Sequence, residues 1–153
     1  MPRIIETDLS IFQVKAEILV NPVNCVGVMG AGLARDFAFQ YPEMLNSYKE
    51  ACKRKTLKTG SIHFFPARGK CIINLPTKMH WRDKSDYSFI QSGMNSLVQF
   101  LLKPEQDYRT VAIPRLGCGL GELDWDTVRK IIVNACDKLS DDFTIYLFEA
   151  KNN

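Results

Sequence analysis

Apolar residues in this chain follow two rhythms. Short runs, apolar throughout or nearly so, recur at positions 3–6, 17–20, 61–65, 70–75, 110–113 and 143–148. Runs of that length bounded by polar, Gly or Pro residues read as strands, and those without alternation as strands buried on both faces. Between them lie stretches with three-to-four spacing. One covers 33–41, where Pro42 interrupts it and opens a second, 43–54, that closes on a basic turn, Lys53-Arg54-Lys55. A third carries Phe89, Ile90, Met94, Leu97, Val98, Leu101 and Leu102 behind a candidate cap at Ser85 or Asp86, and Pro104 stops it. A fourth, 125–139, follows Asp124 and lines up Val128, Ile131, Ile132 and Ala135. Arg68-Gly69 separates two strands short enough to form a hairpin. Strands and helices otherwise alternate. The pattern predicts an α/β fold, a three-layer α-β-α sandwich around a mixed central sheet, in one domain spanning 1–153.

In such sheets ligands collect at the loops beyond the carboxyl ends of the strands. Three loops qualify by composition: 21–33, 76–84 and 114–121. The first reads Asn-Pro-Val-Asn-Cys-Val-Gly-Val-Met-Gly-Ala-Gly-Leu, with no acidic side chain until Asp36. The last holds Gly117-Cys-Gly-Leu-Gly121. Each places glycines between a strand and a helix, which is a recipe for holding an anion on free backbone N–H groups. Neither is a Walker loop, and neither fits Gly-x-Gly-x-x-Gly in register. One such loop is as well explained by a tight strand-to-helix turn; two together suit a diphosphate gripped from both sides.

Other side chains admit two readings each. Asn21 and Asn24 offer donors and acceptors suited to sugar hydroxyls, or they bond their own backbone in a turn. Lys78 is a surface lysine or, at the mouth of an apolar pocket, a nucleophile. His80, Trp81, Arg82 and Lys84 form an amphipathic surface loop or a candidate nucleic-acid contact, with an aromatic to stack a base and cations for phosphate. Cys118, between glycines near a helix start, is placed for a lowered thiol pKa, but no base partner is visible. Asp124 reads as a helix cap and Asp8 as a turn residue or an acceptor for a nucleobase amine.

Bulk properties change this picture little. The 153 residues are 46% hydrophobic and 24% charged with a net charge of +3, which tolerates an anionic ligand without demanding nucleic acid. No apolar run approaches the ~18 residues that cross a bilayer, and the N-terminus lacks a signal-peptide layout. Five scattered cysteines without a Cys-x-x-Cys pair, and two histidines outside any zinc pattern, point to reduced thiols and no metal or other cofactor. A cytoplasmic monomer that does not touch membranes is the expectation.

Taken together, Thr7-Asp8-Leu9, the 21–33 loop, Leu75-Pro-Thr-Lys-Met-His-Trp-Arg82, Ile113-Pro-Arg-Leu-Gly-Cys-Gly-Leu120 and the strand through Phe148 resemble the macrodomain family, which binds ADP-ribose. Within it the chain is most similar to the subgroup of the terminal ADP-ribose protein glycohydrolase and the antitoxin macrodomains that remove ADP-ribose from DNA bases. The resemblance implies that Asp8 meets the adenine amine, with Leu9 and Phe148 against the ring, and that Asn21 and Asn24 serve the ligand, Asn24 near the distal ribose. Val28, Met29, Gly30, Ala31, Gly32 and Leu33 would form one diphosphate and ribose loop. Arg115, Leu116, Gly117, Cys118, Gly119, Leu120 and Gly121 would form the other. Lys78, beside Thr77, falls where this subgroup has its catalytic lysine. The implied function is an ADP-ribosyl hydrolase acting on modified DNA, less so on protein. The alternatives are an ADP-ribose reader without turnover and a phosphatase or deacetylase of ADP-ribose derivatives. One departure stands out: the protein-directed glycohydrolase has an aspartate immediately after its Gly-Cys-Gly-Leu, whereas this chain has Gly121, as the DNA-directed relatives do. Substrate assistance, Glu122 or Asp124 would then have to supply acid/base help.

Overall fold

The computed structural model describes residues 1–149; the last four residues of the expected 1–153 domain lie outside them. Six strands, β1 (Arg3–Thr7), β2 (Ile18–Val23), β3 (His63–Ala67), β4 (Lys70–Pro76), β5 (Thr110–Ile113) and β6 (Thr144–Phe148), form one sheet in the order β1-β6-β5-β2-β4-β3. All neighbours pair in parallel except β3 and β4, the hairpin closed by Arg68-Gly69. Four helices cover it: α1 (Gly32–Gln40), α2 (Pro42–Lys53), α3 (Tyr87–Leu101) and α4 (Trp125–Cys136).

The strand alternation sorts two cores. Ile18, Val20, Ile73, Leu75, Val111, Ile113, Ile145 and Leu147 face α3 and α4, packing on Ile90, Met94, Leu97, Val128 and Ile132. Leu19, Val23, Ile72, Ala112 and Phe148 face α1 and α2, packing on Phe37, Met44 and Tyr48. Both faces of the central strands are therefore dry, which is why they lack an alternating pattern in sequence. Asp86 caps α3, accepting from the Ser88 N–H at 2.8 Å, and Asp124 caps α4 through the Thr127 N–H at 3.0 Å. Of the two residues predicted as α3 caps, Asp86 takes the role and leaves Ser85 free for another. Helix α4 ends at Cys136, short of the predicted Leu139, and a tight turn, Leu139 N–H to the Cys136 carbonyl, finishes the segment.

One feature of the sheet positions the site. The chain leaves β2 toward β4 on one side and leaves β5 toward β6 on the other, so β2 and β5 flank a topological switch point. Their pairing is brief, Ile18 with Val111 and Leu19 with Ala112. Beyond it β2 continues to Val23, still paired with β4, and Pro22, which has no N–H, sits in that freed stretch. The strands part there and the loops that follow them, 24–31 and 114–124, face each other across a crevice.

Candidate functional site

The crevice is a cavity of about 890 Å³, within the range of small-molecule sites. Its lining combines all three loops singled out by composition. From the first come Asn24, Val28, Gly30, Ala31, Gly32 and Leu33; from the second, Thr77, Lys78 and Trp81; from the third, Arg115, Gly117, Cys118, Gly119, Leu120 and Gly121. A second hollow of about 550 Å³ adjoins it, sharing Leu33, Pro114 and Arg115, and is lined by Asp8, Leu9 and Phe148. The two together make one groove, with Asp8, Leu9 and Phe148 in one part and the glycine loops, Lys78 and Trp81 in the other.

Asn24 shapes the first loop. Its Oδ1 accepts from the N–H groups of Val26 (3.1 Å) and Val28 (3.4 Å), and its Nδ2 donates to the Val28 carbonyl at 2.7 Å. The Tyr48 hydroxyl, buried on α2, donates to Asn24 from the other side. Helix α1 then begins at the cavity wall. Its N-cap, Ala31, makes no side-chain hydrogen bond and its first turn holds no acid. Its leading N–H groups and the positive end of its dipole are thus presented to the cavity, through the lining residues Gly32, Leu33 and Ala34.

Lys78 is placed by continuation of the β2–β4 pairing. The Thr77 N–H donates to the Val23 carbonyl and the Cys25 N–H to the Met79 carbonyl, both at 2.9 Å, so that Lys78 is held on a stretch pinned at both ends. On the third loop, Arg115 Nε donates to the Phe148 carbonyl at 3.2 Å and its guanidinium lies 4.9 Å from the Trp125 ring. Lys78 and Arg115 are the formal charges in the main cavity lining, and no acid lines it among the described residues. An anionic ligand meets cations and free N–H groups there, not repulsion.

The structure rearranges several expectations. Asn21, Met29 and Leu116 do not line the groove. Asn21 is fully buried on the α1/α2 face of β2, where its Nδ2 donates to Asn74 Oδ1 at 2.9 Å and contacts Met29 Sδ; its Oδ1 is the one buried side-chain polar atom without a partner among the described residues. Met29 and Leu116 are core. Cys118 lines the cavity but is not activated: burial pushes its thiol up to about 11, against the opposing pull of Arg115 and with Asp124 adding to the rise. Neither Glu122 nor Asp124 lines the cavity. Asp124 is committed to capping α4, and Glu122 pairs with Lys84 at 3.5 Å on the surface. His80, Arg82 and Lys84 do not line the cavity; Trp81, half exposed, lines it, with the Arg82 guanidinium 4.9 Å from its ring.

Ser85 is the residue the sequence reading missed as a site component. It lines the cavity, its Oγ lies 3.2 Å from Thr77 Oγ1, and its N–H donates to the Gly121 carbonyl at 3.1 Å. It also explains the glycine at 121. A Cβ there would stand 2.1 Å from Ser85 Oγ and 2.6 Å from the Gly117 carbonyl oxygen. No aspartate fits at that position in this arrangement.

Comparisons with known proteins agree with this geometry. The Macro domain family model matches residues 20–132. A DNA ADP-ribosyl glycohydrolase of Mycobacterium tuberculosis is 44% identical over 136 residues, covering 85% of this chain and 38% of that protein. The chain therefore spans well under half the length of this curated relative. Among solved structures, the macrodomain of Mycobacterium tuberculosis DarG superposes with a TM-score of 0.91 at 37% identity, covering 99% of this chain and 100% of that one. Thermosipho africanus DarTG in complex with ADP-ribose superposes with a TM-score of 0.87 at 29% identity, covering 99% of this chain and 43% of that one. With both glycine loops and the strands between them inside the matched span, the chain belongs to the Macro domain family.

Proposed function

We propose that the protein is an ADP-ribosyl hydrolase that removes ADP-ribose from modified DNA, with Lys78 as its nucleophile. The observation that carries this is the presence of Lys78 in the same cavity as the two glycine loops. Adenine would lie by Asp8, Leu9 and Phe148, the diphosphate between the α1 N-terminus and the 115–121 loop, and the distal ribose beside Asn24 and Lys78. The names of the relatives, DNA ADP-ribosyl glycohydrolase and a complex with ADP-ribose, support the same substrate and ligand.

The chemistry follows from that placement. The Lys78 amine attacks the anomeric carbon of the distal ribose as the bond to the base breaks, and the bonding pair leaves with the base. Water then hydrolyses the lysine adduct, returning the amine and releasing ADP-ribose. Binding energy from the distant adenine and diphosphate serves to align the reacting carbon. The exposed residues Trp81, Arg82 and Lys84 would receive the DNA strand, the ring stacking a neighbouring base and the cations meeting phosphate. Modified protein is the lesser substrate, since the aspartate that the protein-directed subgroup carries cannot be accommodated at Gly121.

Incubation with matched ADP-ribosylated oligonucleotide and glutamate-modified protein tests this. Release of ADP-ribose from the oligonucleotide is expected. Tight binding of ADP-ribose with no turnover of either conjugate would make the protein a reader instead.

A further inference from the structure

We propose that Thr77 and Ser85 form a neutral hydroxyl pair that hydrogen-bonds the leaving base, with Thr77 as the donor and Ser85 as its positioning residue. The inference rests on the hydrolase reading above and adds what supplies the leaving-group side of the reaction. Both side chains are nearly buried, 3% and 8% exposed, and both line the cavity that holds Lys78. Ser85 Oγ donates to Thr77 Oγ1 at 3.2 Å. Among the described residues the Thr77 hydroxyl has no acceptor of its own, so its proton is available to the cavity.

The pair is rigidly placed. The Thr77 N–H is bound to the Val23 carbonyl and its carbonyl accepts from the Asp86 N–H, while the Ser85 N–H is bound to Gly121. The branched Thr77 side chain has few rotamers. Ser85 thus ties the segment that follows β4 to the second glycine loop and holds the Thr77 hydroxyl in the cavity that Lys78 also lines.

Chemistry favours a neutral donor here. As the bond between the anomeric carbon and the base breaks, negative charge collects on the base. A carboxylate beside it would repel that charge, and Ser85 with the Gly117 carbonyl excludes one at position 121. A fixed O–H donor in a buried site stabilises it without reorganisation. The base finally takes a proton from water, whose hydroxyl remains on the sugar carbon, so the reaction balances as hydrolysis.

The test compares wild type, Thr77→Val, Thr77→Ser and Ser85→Ala on two substrates, an ADP-ribosylated single-stranded oligonucleotide and ADP-ribose joined through its distal anomeric carbon to 4-nitrophenol, a leaving group that needs little help. Thr77→Val should lower kcat on the oligonucleotide on the order of 10²-fold, the usual effect of removing one such donor, and only a few-fold on the aryl substrate. Thr77→Ser should recover most of the loss, and Ser85→Ala should show a smaller loss with the same leaving-group dependence. Calorimetric affinity for free ADP-ribose should stay within a few-fold throughout. Equal losses on both substrates, or no loss on the oligonucleotide, would overturn the donor role while leaving the hydrolase reading intact. An inert wild type would instead remove the hydrolase reading and this inference with it.

Discussion

The Tyr48 hydroxyl lies 2.8 Å from both the backbone carbonyl and the side-chain Oδ1 of Asn24, joining the buried face of α2 to the loop that opens the cavity. Burial raises the phenol pKa far out of range, so the group remains a donor. Tyr48→Phe keeps the ring and deletes the bond. Because it takes this donor from the Asn24 carbonyl, while Oδ1 keeps the Val26 and Val28 N–H groups, it should cost about 1–3 kcal/mol, read as a drop in thermal midpoint of roughly 2–4 °C per kcal/mol. ADP-ribose affinity should weaken in parallel, since the loop loses its anchor. A variant as stable as wild type would show that Asn24 holds the loop alone.

Lys78 should separate binding from turnover. Lys78→Ala leaves both glycine loops and the adenine end untouched, so ADP-ribose affinity should change little while hydrolysis falls by at least ~10³-fold, as for other lost nucleophiles. Lys78→Arg should not rescue it, because a guanidinium remains protonated and cannot attack carbon. Single-turnover assays with calorimetry on the same preparations decide this; full activity in Lys78→Ala would remove the lysine mechanism.

Gly121 should tolerate no side chain. In Gly121→Ala the new methyl meets the Gly117 carbonyl at 2.6 Å as well as Ser85 Oγ. Removing the serine hydroxyl therefore cannot relieve it. Overpacking of this kind costs about 1–3 kcal/mol, and Gly121→Asp should lose stability likewise without gaining activity on modified protein. Denaturant titration of Gly121→Ala with and without Ser85→Ala checks the point; complete rescue by the serine change would contradict it.

Stability should fall as the solution is acidified through the range of His63. Asn74 accepts from Asn21 with its Oδ1, so its Nδ2 faces His63 Nδ1 at 3.0 Å, and His63 Nε2 meets Ser47 Oγ at 2.9 Å. This network needs an unprotonated Nδ1, and burial lowers the His63 pKa below its ordinary 6.5. The unfolded chain then binds the proton first. The contribution of His63 is fully present above the unfolded pKa, declines as pH drops below about 6.5, and levels off under the folded pKa. Chemical denaturation from pH 8 to 5 should show this slope in wild type and less of it in His63→Gln.

Much of the architecture was legible along the chain, because its causes are local. Asp124 ahead of an apolar-periodic stretch is a cap, Arg68-Gly69 between two strands is a hairpin turn, and an acid-free glycine loop before a helix presents N–H groups. The site was legible as three loops. Its interior was less so. Asn21 and Asn24 looked alike in sequence, yet strand parity sends Asn21 inward to Asn74, 53 residues away, and leaves Asn24 at the cavity wall. Ser85 looked like a cap, and only the approach of the 117–121 loop makes it a site residue.

By itself the sequence determined which segments become strands and helices and where backbone can bend to meet an anion. Hydrophobic period, capping side chains and glycine act within a few residues and need no partner. The tertiary structure decided the order of the strands, the parting of β2 from β5, the union of loops 24–31, 76–84 and 114–121 in one cavity, and the exclusion of any side chain at 121. Those are contacts between distant segments. They depend on which strand packs beside which, a choice that follows from burying both faces of one sheet at once and that no single stretch of the chain encodes.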